Sequence, residues 1–243
     1  MSATLAIEDA HVALSGHPVL RGFTLELVPG QVRALIGLNG AGKTTALRVA
    51  LGMLAPDAGR VFLHGQDIRW GPRRAWRTVG HLVEVPATYP ELTARENIAD
   101  TARLHGADPH EAARRAQGLA EALGMGDRLD TRVQRLSLGT RQKIGLISAL
   151  SHEPTVAILD EPTNGLDPLA IVAFRNEVRR LAAAGRSILL TSHHFDELAR
   201  IADHVDILHR GRIIDTVTPD GRDLEKVFFD RVVASDLADR ELA

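Results

Sequence analysis

The 243-residue chain contains no cysteine, which excludes disulfides, thiol nucleophiles and Cys-ligated zinc and fits a reducing compartment. Aromatic residues make up 4% of it, with a single tyrosine. Lysine is almost as scarce: Lys43, Lys143 and Lys226 are the only three among 29 basic residues, so arginine carries nearly all the positive charge. An excess of either charge is missing too. A net charge of −2 provides no basic field of the kind nucleic-acid binders use, so nucleic acid is not an expected partner. No uncharged apolar run approaches the ~18 residues of a membrane span. The amino terminus, "MSATLAIEDAHVAL", carries acids where a secretory signal would carry basic residues, and the chain is expected to be soluble.

The length suits one large α/β domain with a smaller insert. Short apolar segments such as "LRGFTLELV", "VRALIG", "GRVFLHG", "TVAILDE", "RSILLTS" and "HVDILHRGRIIDTV" alternate with longer helical patterns, the rhythm of a mostly parallel sheet. Between about Val85 and Glu153 the rhythm changes, because "PELTARENIADTARLHG" and "PHEAARRAQGLAEALG" read as helices and no good strand intervenes. Residues 1–84 and 154–217 are therefore expected to form one discontinuous core. Residues 85–153 form a helical insert on this reading, and 218–243 a tail.

Within this frame Lys43 stands out. It lies in "GLNGAGKTT", where Gly37 to Thr44 match the phosphate-binding pattern G-x-x-x-x-G-K-[ST]. In such a loop successive backbone N–H groups converge on an anion, since no Cβ blocks the approach and the next helix adds its positive end. The phosphate cradle is expected from Gly37, Asn39, Gly40, Ala41, Gly42, Lys43, Thr44 and Thr45. Lys43 would place a compact charge on the β- and γ-phosphates, and Thr44 would offer its hydroxyl to Mg²⁺. An ordinary glycine-rich turn with a surface lysine is the alternative, but "VRALI" before the loop reads as a buried strand and "TTALRVALGML" after it as a helix.

A second stretch, "TVAILDEPTNGLDP", ends an apolar strand on two adjacent carboxylates, Asp160 and Glu161. Two acids at the end of a buried strand are electrostatically costly unless a cation and a reacting water share the charge. Asp160 can then hold Mg²⁺ and Glu161 can act as general base on the attacking water. Alone, the pair has as its lesser alternative a strand followed by an acidic turn.

Taken together, "GLNGAGKTT", "LSLGTRQK", "AILDEPTNGLDP" and "LLTSHH" occur in the order and spacing of ABC transporter ATP-binding subunits, which the chain resembles over nearly its whole length. "LSLGT", "NGLD" and "VGHLVEVPATYPELTARENI" are most similar to the branch serving bacterial drug and antimicrobial-peptide exporters. The resemblance implies an α/β P-loop NTPase core with a mostly parallel sheet, an antiparallel edge subdomain and a helical insert. It implies an ATPase whose ligands are ATP and Mg²⁺. It also implies that Ser137 and Gly139 contact the γ-phosphate held by a second copy of the chain, where Ser137 could alternatively be a plain helix cap. Asp167 would lie at the seam of that dimer, or cap the helix starting at Pro168. His193 would join Glu161 in the catalytic set with Lys43. A separate integral membrane permease would dock around Val85 to Leu104, with Tyr89, Pro90 and Leu92 as contacts or as ordinary packing. The subunit would then be cytoplasmic, peripheral at the inner face of the membrane. The tail implies a small helix packed on the core, with Phe228 and Phe229 in that packing or on a partner. A non-transport regulatory ATPase, or a nucleotide-dependent switch, is the competing reading.

The chain departs from the family pattern at three places. Leu138 and Thr140 replace Gly and Gln of the usual signature. Glu84 takes the place of a glutamine, and is expected as a third metal-shell residue beside Thr44 and Asp160, adding negative charge near the phosphates. The first hairpin, "HVALSGHPVL", lacks the aromatic that usually stacks on adenine, leaving Leu14, Ser15 or His17 to substitute.

Overall fold

The structure, a computed structural model, describes residues 3–241. Two sheets organise it. The smaller is antiparallel, in the order β2-β1-β4-β5, built from β1 (Leu5–Leu14), β2 (His17–Leu27), β4 (Ala58–Leu63) and β5 (Gln66–Asp67). The larger has the order β10-β9-β3-β8-β7-β6, from β3 (Val32–Ile36), β6 (Val79–Leu82), β7 (Val156–Leu159), β8 (Ser187–Thr191), β9 (His204–His209) and β10 (Arg212–Val217). Every neighbouring pair in it is parallel except β9 and β10. The strands β7 and β8 are buried along their whole length, which is why "VAIL" and "SILLT" read as unbroken apolar runs rather than as alternation.

Helices cover the sheets: α1 (Lys43–Ala50), α2 (Ala94–Leu104), α3 (Pro109–Ala122), α4 (Leu138–Leu150), α5 (Pro168–Ala183), α6 (Phe195–Ile201) and α7 (Leu224–Glu241). One apolar core lies between the antiparallel sheet, α1 and one face of the parallel sheet. A second fills the opposite face against α4, α5, α6 and α7. The third, lined by Ile98, Ala116, Leu123, Met125, Ile144 and Ile147 among others, belongs to the helical region between β6 and β7.

Several elements differ from the sequence expectation in extent. The first strand, β1, begins well before the hairpin that marks it, because Leu5 and Ile7 are core residues despite the acids that follow. The helix expected over "TTALRVALGML" stops at Ala50, where Gly52 turns left-handed at φ 64 and ends the run. "HVDILHRGRIIDTV" is a hairpin, since Arg210 and Gly211 both take positive φ at its centre. The tail helix is 18 residues long rather than small. Its Phe228 is buried against α6 and its Phe229 is exposed. Leu242 and Ala243, at the end of the expected tail, lie outside the described residues.

Candidate active site

The adjacent parallel strands β3, β8 and β7 all deliver their carboxyl ends to one edge of the sheet, the usual place for a ligand in such folds. The glycine-rich loop follows β3, Asp160 and Glu161 follow β7, and Thr191 ends β8 with His193 just beyond. Strand order thus gathers segments more than 100 residues apart.

The loop is shaped for an anion. Gly42 is the N-cap of α1 at φ 109, and a Cβ there would press within 3.1 Å of the Val19 carbonyl oxygen. Thr93, Asp108, Ser137 and Asp167 cap α2, α3, α4 and α5 with side chains, whereas α1 has no side-chain cap and no acid in its first turn. Its leading N–H groups are left for a phosphate. Lys43 folds back over the loop and donates to the Gly37 carbonyl at 2.7 Å, with two N–H bonds to spare.

One side-chain network joins the two motifs. Thr44 Oγ1 donates to Asp160 Oδ2 at 2.9 Å, and Thr191 Oγ1 donates to Asp160 Oδ1 at 2.5 Å. The same Thr191 oxygen accepts from the Glu161 amide at 2.9 Å. Thr191 therefore fixes both acids, a role the sequence motif did not disclose. Glu161 sits at φ 45, a left-handed strain that persists only when its surroundings enforce it. Its Oε2 is buried, lies 2.9 Å from His193 Nδ1 and makes no aligned hydrogen bond. A buried carboxylate oxygen without a donor is costly, and it is suited to receive a proton from water.

The Thr44 hydroxyl and Asp160 carboxylate fit Mg²⁺, which takes oxygen donors, uses few protein ligands and keeps waters and phosphates in its shell. Glu84, the third expected metal residue, is held in an ion pair. Its carboxylate pairs with the Arg48 guanidinium, and Arg48 stands one helical turn beyond Thr44 on α1. Nothing in the sequence singled out Arg48.

Ser137 and Gly139 are engaged locally rather than in this network. Ser137 Oγ caps α4 by accepting from the Thr140 amide at 3.3 Å, and meets the Thr140 hydroxyl at 2.9 Å. Gly139 packs so closely on the Gly165 carbonyl that a Cβ would come within 2.6 Å of it. Asp167 caps α5 by accepting from the Ala170 amide at 2.9 Å and takes a 2.7 Å bond from Lys143, which also donates to the Leu123 carbonyl. The Lys143 ammonium holds the Asp167 carboxyl below its ordinary range. Both of the local roles weighed for Ser137 and Asp167 are thus in place within one chain, and Leu138 between them projects outward, 76% exposed.

Residues 20–164 match the family model described as ABC transporter. The chain is 36% identical over 218 residues to the bacitracin transport ATP-binding protein BcrA of Bacillus licheniformis, an alignment covering 89% of this chain and 70% of that protein. It is 37% identical over 201 residues to the Nod factor export ATP-binding protein I of Burkholderia thailandensis, covering 83% of this chain and 66% of that one. Among solved structures, an ATP-binding subunit of an ABC transporter aligns with a TM-score of 0.88 at 31% identity over 94% of this chain and 99% of that one. An ATP-binding cassette in its ADP conformation aligns with a TM-score of 0.78 at 25% identity, covering 96% and 98%. The chain belongs to the ABC transporter family. Within that family it is the ATP-binding subunit, an ATPase with the fold expected from the resemblance. No helix of the described residues is long and apolar enough to cross a membrane.

Proposed function

We propose that two copies of this chain close head to tail around two Mg·ATP and thereby drive a separate integral membrane permease, which exports drugs or antimicrobial peptides. The export direction and substrate class rest on the bacitracin transport and Nod factor export relatives. The dimer rests on the division of the site. Gly37, Asn39, Gly40, Ala41, Gly42, Lys43, Thr44 and Thr45 surround the phosphates from one side, while Ser137 and Gly139 at the start of α4 offer N–H and hydroxyl donors to the ATP of the other copy.

In the chemical step Glu161 accepts the proton of a water whose oxygen attacks the γ-phosphorus as the bond to ADP breaks. His193 lies beside that carboxylate, able to orient the water and to contact the γ-phosphate. Thr44 and Asp160, with Glu84 once Arg48 releases it, would hold Mg²⁺, which neutralises charge building on the phosphate oxygens. The permease would enter a cleft of about 520 Å³ lined by Met53, Val85, Tyr89, Leu104, His105 and Gly145, where Val85, Tyr89 and Leu104 are exposed without a partner surface. A subunit seated there would lie at the inner face of the membrane.

The observation that carries this reading is the buried Glu161 Oε2, 2.9 Å from His193 Nδ1 but without an aligned hydrogen bond, next to the Thr44–Asp160 bond. Comparing wild type with Glu161→Gln tests it. Phosphate release should fall ~10²–10⁴-fold, while ATP binding persists and an ATP-dependent dimer accumulates on size-exclusion chromatography. Equal turnover in the two proteins, with no ATP-dependent dimer, would leave a low-turnover nucleotide switch as the better description.

A further inference from the structure

The net charge of −2 conceals a local concentration of the opposite kind. Between Ile68 and Val83 the sequence reads "IRWGPRRAWRTVGHLV", with four arginines, both tryptophans of the chain and no acid. The segment links β5 to β6 and contains a short 3-10 helix, Arg73–Thr78. The side chains divide sharply. Trp76 is packed inward, with its ring within 3.2 Å of where a Cβ on Gly52 would stand, and partly covers the core under α1. Trp70 is 85% exposed, more than any other large apolar residue of the described chain. Arg69 is neutralised by Asp67 in a paired contact at 2.6 Å. Arg73, Arg74 and Arg77 are exposed and make no ion pair among the described residues.

The place of this segment says what it faces. The Arg77 carbonyl meets His105 Nδ1 at 3.1 Å, and the Arg77 side chain lies 3.4 Å from where a Cβ on Gly106 would stand. Through Gly52 and through His105 the segment adjoins Met53, Leu104 and His105, which line the cleft assigned above to the permease. Exposed arginines beside an exposed tryptophan match the chemistry of a bilayer surface, where guanidinium groups meet anionic headgroups and an indole sits at the headgroup level.

We propose that Trp70, Arg73, Arg74 and Arg77 form a contact for anionic lipid headgroups at the rim of that cleft, so that the subunit touches the bilayer directly as well as its permease. Three uncompensated arginines and one tryptophan give a weak, reversible contact, one that trims and orients a subunit already held by protein and does not anchor it alone. The choice of lipid over an acidic protein follows from the segment's lack of any acid to set a register, and from the indole, which a headgroup layer accepts without a shaped pocket.

The test uses the purified full chain with vesicles of phosphatidylcholine alone and of an equimolar mixture with phosphatidylglycerol, at low ionic strength. Wild type should float with the anionic vesicles only and be released by salt. Arg73→Ala with Arg74→Ala should weaken binding ~30-fold, about fivefold for each charge lost. Lipid brominated near the headgroup should quench wild-type fluorescence far more than that of Trp70→Phe, because the remaining Trp76 packs inward beside Gly52 against the core. These variants lie outside the nucleotide site, so their basal ATPase should match wild type and report an intact fold. Binding equal to both vesicle types, or a double variant that binds anionic vesicles as well as wild type, overturns the proposal. So does a double variant that keeps vesicle binding and loses co-purification with the permease, since the patch would then be a protein contact. Neither turnover nor a permease is needed for vesicle flotation, so its failure leaves the transport reading standing, and the converse holds too.

Discussion

The strand-end half of the site and the signature half obey opposite designs. Around the loop of Gly37 to Thr44, polar groups are joined across the chain: Thr44 and Thr191 converge on Asp160, and Glu161 is held by its amide with one oxygen left open. Around Ser137 and Gly139 they are joined locally, to Thr140 and to the turn at Gly165. The first half is preorganised for a ligand that one chain can bind. The second has its polar groups satisfied locally and presents Leu138 outward, the surface that the proposed dimer would cover. Lys143 extends the local design by tying α4 to Asp167, so the signature helix and the turn that starts α5 should move as a unit.

The sharpest way to break this contrast is at Gly139. Gly139→Ala puts a methyl group within 2.6 Å of the Gly165 oxygen, and backbone must shift to admit it. If the signature half serves only the ATP of the partner, ATPase activity should drop ~10²-fold, the usual cost of misplacing a reacting group by about 1 Å, while ATP affinity of the isolated chain stays within twofold of wild type. Equilibrium binding beside steady-state turnover measures both. A matching loss in affinity would mean the two halves are not separable.

A second contrast concerns the seam between the helical region and the sheet, where His81 of β6, His105 beyond α2 and His152 beyond α4 come together. His105 and His152 stack with ring centres 4.0 Å apart. Burial, and then the neighbouring His105, push His152 down to about 4, and burial lowers His105 as well. Each is therefore neutral when folded and must charge on unfolding in acid. Stability from this source is complete above pH 6.5 and is lost as pH falls from there toward 4, by up to ~3 kcal/mol for His152. His152→Phe removes that burden at the cost of one long bond, from His152 Nδ1 to the Ser148 carbonyl at 3.3 Å. Thermal melts between pH 4 and 7.5 should show the variant losing less than wild type on acidification, with the gap closing near neutrality. Parallel curves would place the acid sensitivity elsewhere.

Much of the first half was legible because its chemistry dictates residue types at fixed spacing: a lysine after glycines, then paired acids after an apolar strand. The Thr44–Asp160 bond spans 116 residues, yet both ends could be named in advance. What stayed hidden were partners whose side chains have many uses. Thr191 is one threonine in a quoted motif, and only the register of β7 beside β8 shows that it bridges Asp160 and Glu161. Arg48 is one of many arginines, and its pairing with Glu84 depends on where the chain beyond β6 turns left-handed, at φ 64. That pair makes a smaller prediction. Glu84→Gln keeps an oxygen for the metal, frees Arg48 and removes one negative charge near the phosphates at a surface site, so ATP affinity should rise about three- to tenfold. A calorimetric titration of both proteins checks it, and weaker binding in the variant would show that the charge of Glu84 holds the metal more than it repels the nucleotide.

The smallest expected effect lies at the base end of the nucleotide. The turn between β1 and β2 is only Ser15 and Gly16, both at positive φ, with Leu14 paired to His17 across its foot. Two residues leave no room for a long loop to fold over a base, and none of Leu14, Ser15 and His17 offers the flat face of a large aromatic ring. Stacking on such a face is typically worth ~1–3 kcal/mol and accepts any base, since every base has a π-face, so its absence lowers base affinity and leaves the phosphate grip, identical for both nucleotides, as the main source of binding. ATP and GTP should therefore be hydrolysed with kcat/KM values within about tenfold of each other. Leu14→Tyr should then tighten nucleotide binding by about fivefold or more and leave kcat unchanged, since the added contact is the same before and during the reaction. A strict preference for ATP in the unaltered chain would mean that selectivity comes from hydrogen bonds to the base edge, and Leu14→Tyr would then change little.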